Sequence, residues 1–329
     1  LQAEDEISGI CTAIGAAYAG NFAVTTTSGP GLSLKSEAIG LAVMTELPLV
    51  IVDVQRGGPS TGLPTKPEQA DLNQALWGRN GECPLVVMAA STPSNCFHYA
   101  FWAGKIAMEH MTPVLLLSDG FIANGSEPWR IPSMKEYPKI TPPIVTRAPE
   151  GGFQPYARDE KRLARMWALP GTKGVEHRVG GLEKDSLSGA VSHDPENHER
   201  MVGLRAAKVA RVQDFIPKQE VVGGRRGELL VVGWGGTYGH LLTAVRELQR
   251  RGEQVSLCHF NFIHPLPRGV REIFSRFRRI VVCELNSGQF AGYLRQQFQE
   301  FEFLQYNKIQ GLPFTVTELG DEFARLLKS

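Results

Sequence analysis

The chain has 329 residues, 42% of them hydrophobic and 21% charged, with a formal net charge of +1, which leaves room for about two domains of ordinary water-soluble composition. So balanced a charge offers no electrostatic reason to bind nucleic acid or an anionic membrane. No apolar run approaches the roughly 20 residues that span a bilayer, and the start lacks the basic-then-apolar layout of a signal peptide, so the expected compartment is the cytoplasm. The five cysteines (Cys11, Cys83, Cys96, Cys258 and Cys283) form no CxxC pair; they read as reduced thiols and exclude a zinc or iron–sulfur framework on this chain.

In chain order, LQAEDEISGICTAIGAAYAG opens without methionine and already in a helical pattern. The expectation is that the natural polypeptide extends upstream and that the first strand of its fold is missing here. A helix near 4–20 is followed by a strand at 22–27, a helix at 33–45, a strand at 48–54, a helix at 68–77, a strand at 85–90, a helix at 95–110 and a strand at 113–118. Continuous apolar strands separated by helices indicate a parallel sheet covered on both faces, an α/β architecture. Residues 124–208 are rich in proline, charge and polar side chains and read as an irregular connector. Alternation then resumes with GELLVVGW, HLLTAVRELQRRG, QVSLCHF, a helix near 267–277, RRIVVCEL, a helix near 289–300 and a last helix near 318–328. The expected division is 1–123, 124–208 and 209–329.

Three stretches invite a chemical reading. QRGGPSTGLPTKPEQADL, residues 55–72, follows a strand, and its Gly57 and Gly62 have phosphate-loop spacing, but Leu63 and Pro64 stand where lysine and a hydroxyl are needed. VVGWGGTYGHLL places Gly233, Gly235 and Gly239 between strand and helix, yet the third glycine is one residue late and no acidic residue ends the next strand, so packing is the better explanation. In SDGF, Asp119 and Gly120 begin like the metal motif of thiamin diphosphate enzymes, but the asparagine expected some thirty residues on is absent, which leaves a strand-end turn.

One ionisable residue is out of keeping with its surroundings. Glu6 lies 4, 7 and 11 residues before Ile10, Ala13 and Ala17, on the same small apolar helix face. A carboxyl on such a face can hold or hand over a proton; Glu4 and Asp5 read as ordinary N-terminal acids favoured by the helix dipole.

Taken together, Glu6 followed by GAAYAG, TTTSGPGLSLKSEAIG at 25–40, QRGGPSTGLPTKPEQADL and SDGF closely resembles the α subunits of 2-oxoacid:acceptor oxidoreductases, in the 2-oxoglutarate:ferredoxin branch. NFIHPLP at 261–267 and CELNSGQ at 283–289 resemble the same family's transketolase C-terminal-like domain, so the match covers almost the whole chain. The resemblance implies a pyrimidine-type thiamin-diphosphate-binding domain followed by that C-terminal-like domain. It also implies a β subunit supplying Mg²⁺, the diphosphate site and a [4Fe–4S] cluster.

By position, Glu6 matches the catalytic glutamate that hydrogen-bonds the aminopyrimidine N1′. The TSGPG turn, with Ser28 and Gly29, matches the cofactor-facing segment, although its glycines serve a tight turn equally well. Arg56 and Thr65 match substrate-binding positions, Arg56 offering the planar guanidinium fork that suits a carboxylate. The implied reaction is oxidative decarboxylation of 2-oxoglutarate to succinyl-coenzyme A, or its reverse, with ferredoxin or a similar acceptor. Pyruvate or a branched-chain 2-oxoacid is the alternative substrate, and a stand-alone nucleotide-binding module the alternative of another class. The family's YPITP-type substrate loop, normally upstream of the glutamate, is not in this sequence. Pairing of cofactor halves across chains predicts at least an αβ unit and an apolar face around residues 25–72.

Overall fold

A computed structural model describes residues 1–328. The first helix starts where the sequence supplies its cap: the Asp5 carboxylate accepts the Ser8 amide at 2.7 Å. The first half runs α1 (Glu6–Tyr18), β1 (Val24–Thr27), α2 (Gly29–Leu34), α3 (Ser36–Thr45), β2 (Leu49–Gln55), α4 (Leu72–Trp77), β3 (Val86–Ala89), α5 (Asn95–His110), β4 (Pro113–Asp119) and α6 (Gly120–Asn124). Then come β5 (Ile144–Val145), β6 (Trp167–Ala168) and α7 (Pro195–Arg211). The second half adds β7 (Gly227–Trp234), α8 (Tyr238–Arg250), β8 (Val255–Phe260), β9 (Phe262–His264), α9 (Val270–Phe274), β10 (Phe277–Glu284), α10 (Gln289–Gln297), β11 (Leu304–Asn307) and α11 (Val316–Lys328).

Two sheets result. The first has the order β1-β2-β4-β3-β9, parallel except for β9, which returns from the second half to pair antiparallel with β3. The second, β11-β10-β7-β8, is wholly parallel. Strands β3 and β4 are buried at every position, as continuous apolar runs between helix layers require. One apolar cluster joins Ile10, Ile39 and Ile51 of the first sheet's surroundings to Trp234, Phe260 and Phe290 of the second's, so the halves share a core.

Three expectations need correction. The stretch 124–208 is not irregular throughout, because it contains most of α7, opened by Asp194 accepting the Asn197 amide at 2.6 Å with Pro195 in the first turn. The helix expected at 33–45 is two helices meeting at Lys35, and the first begins early because Pro30 suits an initial turn. The helix expected from 68 starts only at Leu72, since the preceding residues are spent on the second half of the chain.

That connector is nailed to the amino ends of the first sheet. Glu46, at the end of α3 in a left-handed conformation (φ 51°), receives both Arg158 and Lys208 on its buried carboxylate. Burial alone would raise this carboxyl, but the two cations outweigh it and hold it at about 2. Lys208 falls to about 8 in spite of Glu46, because desolvation dominates at the amine. Around them Arg165 Nε donates to Thr45 O at 3.2 Å, Lys184 Nζ to Met44 O at 3.0 Å, and the Tyr156 ring lies between Arg158, Arg165 and Lys184.

Candidate functional site

Ligands of parallel α/β sheets collect outside the carboxyl ends of the strands. Here register places Thr27 of β1 beside Asp53 of β2, Asp53 beside Leu117, and Gln55 beside Asp119 of β4. Above Thr27 and Asp53 lies the first turn of α2, too close for side chains: a Cβ on Gly31 would stand 2.0 Å from Thr27 Oγ1 and 2.6 Å from Glu6 Cγ, and one on Gly29 would stand 2.6 Å from Asp71 Oδ1. Glu6 and Asp71 therefore flank a bare glycine turn, with Glu6 half-buried. Ser28 caps α2 by position and its hydroxyl makes no capping bond.

Lys35, which sequence reading passed over, holds this corner together. It is 1% exposed, and its Nζ donates to Glu6 O at 2.8 Å and to Thr25 Oγ1 at 3.1 Å. Burial lowers its pKa, while Glu6 and Asp5 act against that. The signal was available: Lys35 falls on the same face as Leu32, Ile39 and Ala42, where a charged side chain needs a partner.

The 55–72 stretch divides into two parts. Its neck is closed by Gly57 N donating to Lys66 O at 3.0 Å, with Leu63 N to Gly57 O at 2.9 Å and Lys66 N to Leu63 O at 3.2 Å inside. These amides serve the loop itself, which removes the phosphate cradle its glycine spacing suggested. Arg56 and Thr65 flank that neck. Arg56 is half-buried and donates from Nη1 to Thr61 O at 2.6 Å. Thr65 is exposed at φ 64°, an unusual conformation for a β-branched residue, and its carbonyl lies 3.6 Å from where a Cβ on Gly120 would be.

Beyond Pro67 the stretch is buried between the halves. Gln69 Nε2 donates to Trp234 O at 2.7 Å, its Oε1 accepts Leu285 N at 3.0 Å, and its backbone oxygen accepts Asn286 Nδ2 at 2.8 Å. Gln289 adds bonds to Ala70 O and Asn73 N. Asp119 behaves as the strand-end turn expected of it: its carboxylate accepts Phe121 N, Ile122 N and, across the seam, Gly236 N at 3.1 Å. Burial raises its pKa and those three amides pull it back. Gly233 is a packing glycine, since a Cβ there would meet Leu241 at 2.3 Å. Glu284, in CELNSGQ, is wholly buried and accepts Phe290 N and Ala291 N at the start of α10. Among the described residues no group of three or more His, Cys, Asp or Glu side chains could hold a metal ion, and none of the described helices is long and apolar enough to cross a membrane.

A family model for the pyruvate flavodoxin/ferredoxin oxidoreductase thiamine-diphosphate-binding domain matches residues 1–193. The chain belongs to that family. Within it, the 2-oxoglutarate oxidoreductase subunit KorA of Mycobacterium tuberculosis is 52% identical over 97% of this chain, which spans only 48% of that protein. The 2-oxoglutarate synthase subunit KorA of Methanothermobacter marburgensis is 34% identical over 88% of this chain and 76% of its own length. Among solved structures, the 2-oxoglutarate:ferredoxin oxidoreductase from Magnetococcus marinus, with 2-oxoglutarate, coenzyme A and succinyl-CoA bound, superposes with a TM-score of 0.92 at 34% identity, over 99% of this chain and 57% of that one. A split-gene transketolase at 13% identity and a TM-score of 0.54 shares the fold alone. The chain thus carries about half the length of its Mycobacterium relative, and the pyrimidine-type α/β fold expected of the family is the one observed.

Proposed function

We propose that this chain is the α portion of a thiamin-diphosphate-dependent 2-oxoglutarate:ferredoxin oxidoreductase, which converts 2-oxoglutarate and coenzyme A to succinyl-coenzyme A and CO₂, or the reverse. It acts with a β subunit carrying Mg²⁺, the diphosphate site and a [4Fe–4S] cluster. The observation that carries this reading is the Glu6 carboxyl set against the bare glycine turn of α2. That donor set fits the aminopyrimidine half of the cofactor: a half-buried carboxyl at the carboxyl edge of a parallel sheet, over backbone with no Cβ in the way. When bound, thiamin diphosphate supplies the carbanion chemistry of 2-oxoacid decarboxylation.

Glu6 would hold the proton exchanged with the ring nitrogen, kept in place by Lys35 through its backbone carbonyl. The turn at Ser28 and Gly29 would let the ring approach the backbone. Arg56 would pair with a substrate carboxylate and the Thr65 hydroxyl would hydrogen-bond beside it. The names of the relatives and of the superposed structure favour 2-oxoglutarate over pyruvate or branched-chain 2-oxoacids.

The test is 2-oxoglutarate-dependent, coenzyme-A-dependent viologen reduction by the natural full-length chain assembled with its β partner. Glu6→Gln is expected to lower kcat by about 10²–10⁴-fold, and unchanged turnover would sink the assignment. A substrate panel with Arg56→Ala and Thr65→Ala should show losses confined to dicarboxylic substrates if these residues select the second carboxylate.

A further inference from the structure

Near the end of strand β2 stands a carboxyl that has nowhere to place a charge. Asp53 is 0% exposed, and neither of its oxygens has a hydrogen-bond partner among ordinary donors. Lys35, a cation of the same corner, is committed to Glu6 O and Thr25 Oγ1. The group that faces Asp53 is a second acid, Asp71, whose Oδ2 is likewise buried and unpartnered. Two carboxylates in contact, away from water and without a cation between them, cannot both stay ionised, because an isolated buried charge costs several kcal/mol or more.

Asp71 cannot move away from this encounter. Its amide donates to Gln55 Oε1 at 3.2 Å, and Gln69 and Ala70 just before it are bonded to the second half of the chain. Its other side supports the Gly29 turn. The charges that act on Asp71 from the loop are Arg56, which favours a negative charge there, and Glu68, which opposes one. Burial, with Asp71 beside it, pushes Asp53 well above the carboxylate range, and burial lifts Asp71 to about 6 although its hydrogen bond with Asp53 and the Arg56 guanidinium pull it down.

We propose that Asp53 and Asp71 are a positioning pair joined by one shared proton, Asp53 donating and Asp71 keeping the single negative charge that orients Arg56 from beneath the glycine turn. The role assigned to Arg56 rests on the function proposed above; the shared proton does not. With one proton the pair is a compact monoanion. A second proton removes the counter-charge of Arg56, and loss of the first sets two buried charges against each other.

The experiment uses the full-length enzyme with its β partner and two variants. The wild-type-minus-Asp53→Asn infrared difference spectrum at pH 7 should show the carbonyl stretch of a protonated carboxyl, and the wild-type-minus-Asp71→Asn spectrum only a shift of that band, because burial alone keeps Asp53 neutral there; no band in the first difference, or no shift in the second, overturns the shared proton. In turnover, Asp71→Asn should raise KM for 2-oxoglutarate about tenfold with kcat much less affected, since charge is lost behind a substrate contact. Asp53→Asn keeps a donor and keeps the Asp71 charge, so it should shift KM by only about twofold to threefold. It should also leave the acid-side rise of KM centred near pH 6, as in the wild type, because an amide donor replaces the hydroxyl that favours the Asp71 charge, whereas Asp71→Asn should abolish that rise. Equal KM changes in the two variants, or an acid-side rise of KM that survives in Asp71→Asn, would show a merely structural pair and overturn the positioning role. A wild type inactive on 2-oxoglutarate would remove the functional reading alone, with the infrared result still deciding the proton.

Discussion

The two ends of strand β2 treat an acidic side chain in opposite ways. Just before the strand, Glu46 is buried between Lys208 and Arg158, with each oxygen given to a cation. At its far end, Asp53 is equally buried and meets only Asp71. The amino edge spends its charges on fastening a connector to the sheet. The carboxyl edge leaves charges uncommitted, and those are the ones available to a ligand or a proton. Burial of a charged group therefore says little until its partners are named.

Breaking this contrast should have unequal consequences. Glu46→Gln leaves two buried cations without an anion and is expected to cost about 3–5 kcal/mol of stability, read as a lower denaturant midpoint. Gly31→Ala drives a methyl into Thr27 and Glu6, with an expected cost of about 1–3 kcal/mol and a fall in turnover beyond what the stability change accounts for. Asp53→Asn should stay within about 1 kcal/mol of wild type, because the amide still donates to Asp71. A loss at Asp53 as large as that at Glu46 would erase the distinction between the two ends.

The pH responses should also run in opposite directions. Glu46 is depressed in the fold to about 2, so its contribution is present above its unfolded value near 4 and disappears as pH falls toward 2. Asp71 is raised to about 6, so the fold prefers its neutral form, and its contribution is present below about 4 and is lost as pH rises through 6. Asp71→Asn should flatten the stability profile between pH 4 and 6 and leave the acid limb below 4 unchanged. Denaturant titrations across that range decide it.

Much of this organisation was legible in the chain. The strand run ahead of Gln55 and the stripe of Ile10, Ala13 and Ala17 behind Glu6 are local patterns, and the structure buries all three stripe residues. Helix α7 was missed although Asp194 and Pro195 are a capping signal, because the surrounding polar composition outweighed two residues. Asp53 was absorbed into the apolar run LPLVIVDV, where a polar residue in a two-sided strand was itself the signal. The partners of Gln69, Trp234 and Leu285, lie 165 and 216 residues away. No local period encodes such a contact; it exists only once two sheets have met.

That meeting gives the carboxyl edge of the first sheet a direction. On the β4 side Asp119 is occupied by Gly236, and Gln69 by Trp234 and Leu285, so the second half of the chain closes that flank. Strand β1 is the outer strand on the other flank, with Val24 46% exposed. The glycine turn is therefore held from the β4 side, through Asp71, whose two preceding residues are bonded into that seam.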